Sequence, residues 1–279
     1  MEPITDEKIF AFEKQLKSEE KAAATVRKYV GDVEIFYRWC EGRPLEKETV
    51  LVYKARLIER YASASVNAAL CSLNRFFDFI GREELKVKNI KLQRRIFTPA
   101  DTELTKGEYR RLLSAAKGKN NMRLWLLMQT ICSTGIRVSE LCHVTVETVR
   151  RGRAEINCKG KRRVVFLPQE LCLMLRKYTK EQKIKSGPIF ITKNGNPLNR
   201  SNIWTDMKRL CREAGVSEKK VFPHNLRHLF ARTYYAMQKD IVRLADILGH
   251  SSINTTRIYT MESGDIHRAQ IQKLGLLRC

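Results

Sequence analysis

Apolar residues recur every three or four positions through most of this chain, the spacing of helices that bury one face. Val26, Val30, Val33, Tyr37 and Cys40 make one such stripe, and Val66, Leu70, Leu73, Phe77 and Ile80 repeat its offsets. Gly42-Arg43-Pro44 and Ser63-Ala64-Ser65 punctuate the pattern, the serines standing where helix caps belong. With shorter helices near 6–18 and 46–60, the spacing predicts a bundle of about four helices over residues 1–85. The stripe then stops. Residues 86–95 read Lys-Val-Lys-Asn-Ile-Lys-Leu-Gln-Arg-Arg, half basic and without an acid, and 86–103 is expected to be a basic interdomain linker.

A second domain, 104–279, opens at Leu104. Thr105 and Glu108 have the spacing of a capping box, and a helix is expected over 109–116. The run 124–132 predicts a buried helix closed by Thr134-Gly135. Two β-prone runs, 154–158 and 162–167, flank Lys159-Gly160-Lys161 and predict a hairpin. Helices are expected over about 169–180, 200–214, 224–238, 240–248 and 252–260, two of them stopped by Gly215 and Gly249. The fold class is mainly α with a small β-hairpin, in two domains, and no internal repeat is evident.

Charge sharpens this picture. The 279 residues hold 53 Lys+Arg against 30 Asp+Glu, a formal net charge of +23. The excess is uneven, since residues 1–99 carry 19 basic and 15 acidic side chains and 100–279 carry 34 and 15. A field of this sign attracts polyanions, so nucleic acid is the expected partner, held mostly by the second domain. Eight cysteines are scattered singly, which argues against disulfides or a zinc site and for a reduced, cytoplasmic setting. No apolar run approaches the length of a membrane span and no signal peptide is present.

Basic residues and one tyrosine carry the candidate chemistry. Planar guanidinium groups match phosphate with paired donors, which nominates Arg137 and Arg227 as a clamp. A simpler account of Arg137 is an ion pair with Glu140. His224, Arg227 and His228 lie at i, i+3 and i+4, on one face of a helix that Pro223 helps to start. Lys159 at the hairpin tip could protonate a departing sugar oxygen, but Lys161, Arg162 and Arg163 stand beside it and leave the choice open. Tyr259 needs a base or a positive field to become a nucleophile, and His224 and His250, with ordinary values near neutrality, suit proton transfer. Taken singly, each of these residues has an ordinary structural explanation.

Together they form an ordered set. Thr-Gly-Ile-Arg-Val-Ser-Glu-Leu, a Lys-Gly-Lys-Arg hairpin, Pro-His-Asn-Leu-Arg-His and Leu-Gly-His-Ser-Ser-Ile-Asn-Thr-Thr-Arg-Ile-Tyr-Thr follow one another over residues 134–260. In this order the chain resembles the tyrosine recombinases, which include phage integrases and the Xer and Cre types. The resemblance covers nearly the whole chain. It implies that 1–85 is a core-binding, SAM-like DNA-binding bundle and 104–279 a catalytic domain. It further implies Arg137 and Arg227 as the phosphate clamp, Lys159 as general acid, His224 as acid/base, His250 as a phosphate hydrogen-bond donor and Tyr259 as nucleophile, with Glu140 and His228 supporting. Lys86, Lys88, Lys91, Arg94, Arg95, Lys161, Arg162 and Arg163 are expected on DNA. The activity implied is cleavage and rejoining of DNA through a 3′-phosphotyrosyl link, without metal, cofactor or ATP. The implied partners are duplex DNA with an inverted-repeat core site and three further copies of the chain, docked through the stretch 266–277, with a small excisionase-like protein as an optional addition. The absence of an arm-binding domain ahead of the bundle favours a simple Xer-like type. Two other readings are a type IB topoisomerase-like enzyme, which shares the chemistry, and a non-catalytic DNA-binding protein on the same fold.

Overall fold

The computed structural model describes residues 4–91, 102–158, 161–192, 194–259 and 272–274. The chain divides into two compact units, Met1–Arg94 and Arg95–Cys279.

The first unit is a bundle of α1 (Asp6–Ser18), α2 (Ala23–Cys40), α3 (Lys47–Arg60) and α4 (Ser63–Phe79). The stripes read from the sequence face inward, with Phe12, Leu16, Val33, Phe36, Leu70, Leu73, Phe76 and Phe77 fully buried. Burying side chains of this size stabilises by about 1.5–3 kcal/mol each, so the aromatic centre dominates the unit. Phe36 meets the edges of Tyr53 and Phe77 there.

The start of the basic run is not a free strand. Leu85 and Val87 are buried in the same core. Asn74 on α4 accepts from the Val87 backbone N–H at 3.0 Å and donates to its carbonyl at 2.9 Å. Asn67 does the same at Ile90, at 2.8 and 2.9 Å. Lys86, expected on DNA, instead pairs with Asp78. Lys88 and Lys91 are exposed, whereas Arg94 and Arg95 lie outside the described residues. Two amides about two turns apart on one helix thus hold this segment, because each reproduces the donor–acceptor pair of a neighbouring strand.

The second unit begins with α5 (Lys106–Gly118), whose Thr105–Glu108 capping box is formed in both directions. Glu108 also pairs with Lys220 at 3.0 Å. α6 (Met122–Thr134) is buried over Leu126, Leu127, Met128 and Ile131. After α7 (Val146–Arg151), strands β1 (Arg153–Cys158) and β2 (Lys161–Phe166) pair antiparallel with Ile156 opposite Arg163. Then come α8 (Gln169–Glu181), α9 (Arg200–Lys208), α10 (Cys211–Ala214), α11 (Pro223–Gln238), α12 (Ile241–Leu248) and α13 (Ile253–Thr256).

Two expectations need correction. The helix expected over 200–214 is broken at Arg209-Leu210, where Leu210 N–H bonds the Met207 carbonyl three residues back. The helix expected over 252–260 is the single turn α13 followed by a 3₁₀ turn, Arg257–Tyr259. That tightening matters, because it sets where Tyr259 points.

Candidate active site

The end of α6, the start of α11, the end of α12, the turn after α13 and strand β2 bring Arg137, Glu140, Arg163, His224, Arg227, His228, His250 and Tyr259 together. α6 stops at Gly135, which has φ +65°. A β-carbon there would lie 2.5 Å from the Phe230 ring on α11, so only glycine lets the two elements close. Arg137 follows, at the head of the 3₁₀ turn Val138–His143.

The ion pair of Arg137 with Glu140 is real, and it is one arm of a larger arrangement. Glu140, 4% exposed, accepts from the Arg137 backbone N–H and from Arg137 Nη1, both at 2.9 Å. Its second oxygen also takes Arg163 Nη2. Burial pushes the Glu140 carboxyl up, but the Arg137 N–H, the Arg163 charge and the two guanidinium hydrogen bonds hold it below the usual carboxylate range. Arg137 Nη2 donates to the Gly249 carbonyl at 3.1 Å. The guanidinium is fixed from behind while 37% of the side chain stays open.

Arg163 is the clearest correction to the sequence reading. Expected on DNA, it turns inward, paired with Glu140 and donating to the Ile247 carbonyl at 2.6 Å. Its place opposite the buried Ile156 on the pleated ribbon explains this, since alternate residues of a strand share a face. Gly249, with φ +63°, completes the fit, because a β-carbon there would lie 2.5 Å from Arg163 Cδ.

Arg227 is 1% exposed, a degree of burial that a cation tolerates only with its donors engaged. Nη1 donates to the Gly135 carbonyl at 2.6 Å and Nη2 to the Leu248 carbonyl at 2.8 Å. These carbonyls end α6 and α12, so the guanidinium sits at two helix C-termini, where partial negative charge accumulates. Burial, then the Arg137 charge, lower its pKa to about 10, opposed by the nearby Tyr259. It stays cationic at neutral pH.

Tyr259 is 3% exposed and packs with Ala231, Leu244 and Leu248. The His250 ring stacks on it at 5.9 Å and 18°, and His228 meets it edge-on at 4.7 Å and 87°. His224 contacts His228 at 4.5 Å. The expectation that the histidines titrate near neutrality fails. Burial, then the Arg227 and Arg137 charges, take His250 down to about 4. Burial, then His224 and nearby arginines, take His228 to about 3. His224 faces the cleft and is lowered too, by desolvation first and by Arg227, Arg200 and Arg137 after it.

A pH effect follows. Unfolded histidines bind protons near pH 6.5, but His228 and His250 in the folded chain refuse them until about pH 3 and 4. The unfolded state therefore binds more protons in this interval, and stability falls as pH drops from about 6.5 toward 4. Melting temperature should decline between pH 6.5 and 5, above the range of the carboxylates, and His228→Gln should flatten the slope. A melting temperature that is level or rising as the solution is acidified would contradict the buried, neutral assignment.

Two openings border these residues. One, about 680 Å³, is lined by Arg137, Ser139, Arg162, Arg163, His250 and Ser251. The other, about 310 Å³, is lined by Arg137, Arg200, Trp204, Phe222, His224 and Arg227. Arg162 is exposed beside the first. Lys159 and the side chain of Lys161 lie outside the described residues. Sequence reasoning passed over Arg200 and Trp204, whose one signal was a basic and an aromatic residue spaced i, i+4 at a helix start. It also passed over Thr256. No group of three His, Cys, Asp or Glu among the described residues is placed to hold a metal ion, and no described helix is long and apolar enough to cross a membrane.

Comparison with known proteins adds a second line of observation. The model of the phage integrase family matches residues 102–264. Tyrosine recombinase XerA of Thermococcus kodakarensis is 30% identical over 282 residues, spanning 98% of this chain and 96% of the relative. Among solved structures, the XerH site-specific recombinase bound to its difH substrate matches with a TM-score of 0.70 at 21% identity, over 97% of this chain and 90% of that one. A lambda integrase tetramer bound to a Holliday junction matches with a TM-score of 0.70 at 20% identity, over 91% and 76%. At those identities the structures are similar in fold.

Proposed function

The chain belongs to the phage integrase family, and from that premise we propose how its own residues break and rejoin DNA. It is a site-specific tyrosine recombinase, an enzyme of DNA strand transfer. The observation that carries the residue assignment is Arg227, whose Nη2 lies 3.0 Å from Nε2 of His250, the ring stacked on Tyr259, and which shares a cleft with Arg137.

In the proposed step the Tyr259 oxygen attacks a phosphorus of the scissile strand. The bond from phosphorus to the 5′ oxygen breaks, a 3′-phosphotyrosyl bond forms, and the 5′ oxygen leaves as a hydroxyl. Arg137 and Arg227 meet the charge that builds on the non-bridging oxygens, with guanidinium groups already fixed in place by carbonyl and carboxylate acceptors. His224 takes the Tyr259 proton. Its neutral state suits a base, and an arriving phosphate raises its proton affinity by offsetting the arginine charges. Lys159 protonates the leaving oxygen, an assignment supported by the sequence motif alone. A 5′-hydroxyl from a partner strand reverses these events, so one phosphodiester replaces another and no ATP is consumed. Glu140 holds Arg137 in place, and His228 supports the Tyr259 ring.

DNA is the partner, and multimers on DNA accord with the lambda integrase tetramer. We extend this to four copies of the present chain, linked through 266–277, a stretch that falls largely outside the described residues. An inverted-repeat core site, an accessory protein and a cytoplasmic setting belong to the same proposal.

The test is a two-site assay in EDTA without ATP. Wild type should exchange strands between two duplexes that carry an inverted repeat selected from random DNA. Plasmid relaxation without exchange would point to a topoisomerase-like enzyme, and DNA binding without any covalent adduct would point to a non-catalytic protein.

A further inference from the structure

Thr256 carries a hydroxyl that has no part in the chemistry above. It is fully buried, and its Oγ1 lies 2.9 Å from His250 Nδ1. The other nitrogen of that ring, Nε2, is 3.0 Å from Arg227 Nη2. A guanidinium can only donate, so Nε2 must offer its lone pair and the neutral ring must carry its proton on Nδ1. Thr256 Oγ1 is therefore the acceptor in the free protein.

This tautomer is the wrong one for the reaction. With Nε2 occupied as an acceptor for Arg227, His250 has no N–H on that side to give a phosphate oxygen. To donate, the ring must hold its proton on Nε2, which leaves a lone pair on Nδ1. A backbone carbonyl beside Nδ1 would then face that lone pair with another. A hydroxyl would not, since it accepts or donates by turning about its C–O bond.

We infer that Thr256 is a positioning residue that lets His250 exchange tautomers, accepting from Nδ1–H in the free protein and donating to Nδ1 when a DNA phosphate occupies the clamp. The incoming oxygen takes the Arg227 N–H that Nε2 had received, and the new Nε2–H points to the same oxygen. One proton leaves Nδ1 and one arrives at Nε2, with solvent water as carrier, so the charge of the ring does not change. Placement favours the arrangement. Thr256 ends α13 and Tyr259 ends the 3₁₀ turn that follows, so one short segment holds both the nucleophile and the group that sets its neighbour's proton.

The inference rests on the recombinase reading, and the experiment separates the two. Nitrogen NMR of the full-length protein with labelled histidine should show the Nδ1–H tautomer of His250 in the free chain. It should show Nε2–H when uncleaved DNA is bound to Tyr259→Phe. Thr256→Val, which keeps the shape and loses the hydroxyl, should slow covalent trapping on nicked DNA by about tenfold to a hundredfold at unchanged DNA affinity. Thr256→Ser should restore most of the rate. An unchanged tautomer on DNA, wild-type trapping by Thr256→Val, or a Thr256→Ser protein as slow as the valine variant would each overturn the inference. Should the valine variant not fold, the tautomer with and without DNA decides alone. A wild-type chain that traps no adduct sinks the recombinase reading instead, and the tautomer measurement still stands.

Discussion

Tyr259→Phe should bind DNA as wild type does and form no covalent adduct with it. The substitution removes one oxygen and leaves the ring. The stack on His250, the edge contact with His228 and the packing against Ala231, Leu244 and Leu248 all use the ring, so the fold is preserved. What is lost is the nucleophile and its electrostatic interaction with Arg227. Thr256 does not replace it, being fully buried with its oxygen on His250. The fall in adduct formation on a nicked suicide duplex should be on the order of a thousandfold or more. The readout is a protein–DNA band that survives denaturing electrophoresis, measured beside a binding isotherm. Equal trapping by the two proteins would remove Tyr259 from the mechanism.

Arg227→Ala should fail in two ways at once. It should lose cleavage, because half of the phosphate clamp is gone, and it should lose stability, because the same guanidinium satisfies the terminal carbonyls of α6 and α12. Two orphaned buried acceptors and the space left by a large side chain cost on the order of 3–5 kcal/mol together. For a unit of this size that is a fall in melting temperature of roughly 10 °C. Arg227→Lys keeps the charge but offers one ammonium where the site needs a fork, so it should recover part of the stability and little of the rate. Arg137→Ala is the contrasting case. With 37% of its side chain exposed and Arg163 still on Glu140, it should lose cleavage with a much smaller thermal shift. Thermal melts and single-turnover cleavage on the same three proteins check this, and an Arg227→Ala protein melting with wild type would refute the structural half.

These pairings show what could be read from the chain and what could not. The helices of both units, the Thr105–Glu108 box and the hairpin were legible, because apolar spacing and cap chemistry act over a few residues. The ordered motif nominated six principal site residues, of which Lys159 lies outside the described residues. The break at Leu210 was not, since no Gly or Pro marks it and a hydrogen bond to Met207 makes it. Arg163 misled because a basic run at a hairpin looks solvent-facing until the strand register sets Arg163 opposite Ile156. The histidine ionisation was hidden for a related reason. Intrinsic values sit near neutrality, and only the assembled arginines and the burial drive them down. Thr256 carried no signal of its own, because its partner lies around a turn.

The position of Arg227 bears on when this enzyme becomes dangerous. A nuclease-like site that formed early in synthesis, or persisted in a damaged molecule, could nick a chromosome with no partner strand to repair the cut. Here the clamp requires a carbonyl 92 residues upstream and another 21 downstream of the arginine, and Tyr259 lies beyond both. A chain still on the ribosome, or one whose α12 has frayed, has no aligned guanidinium and no seat for the tyrosine. Folding itself is the safety catch, released only when α11 and α12 have closed on α6.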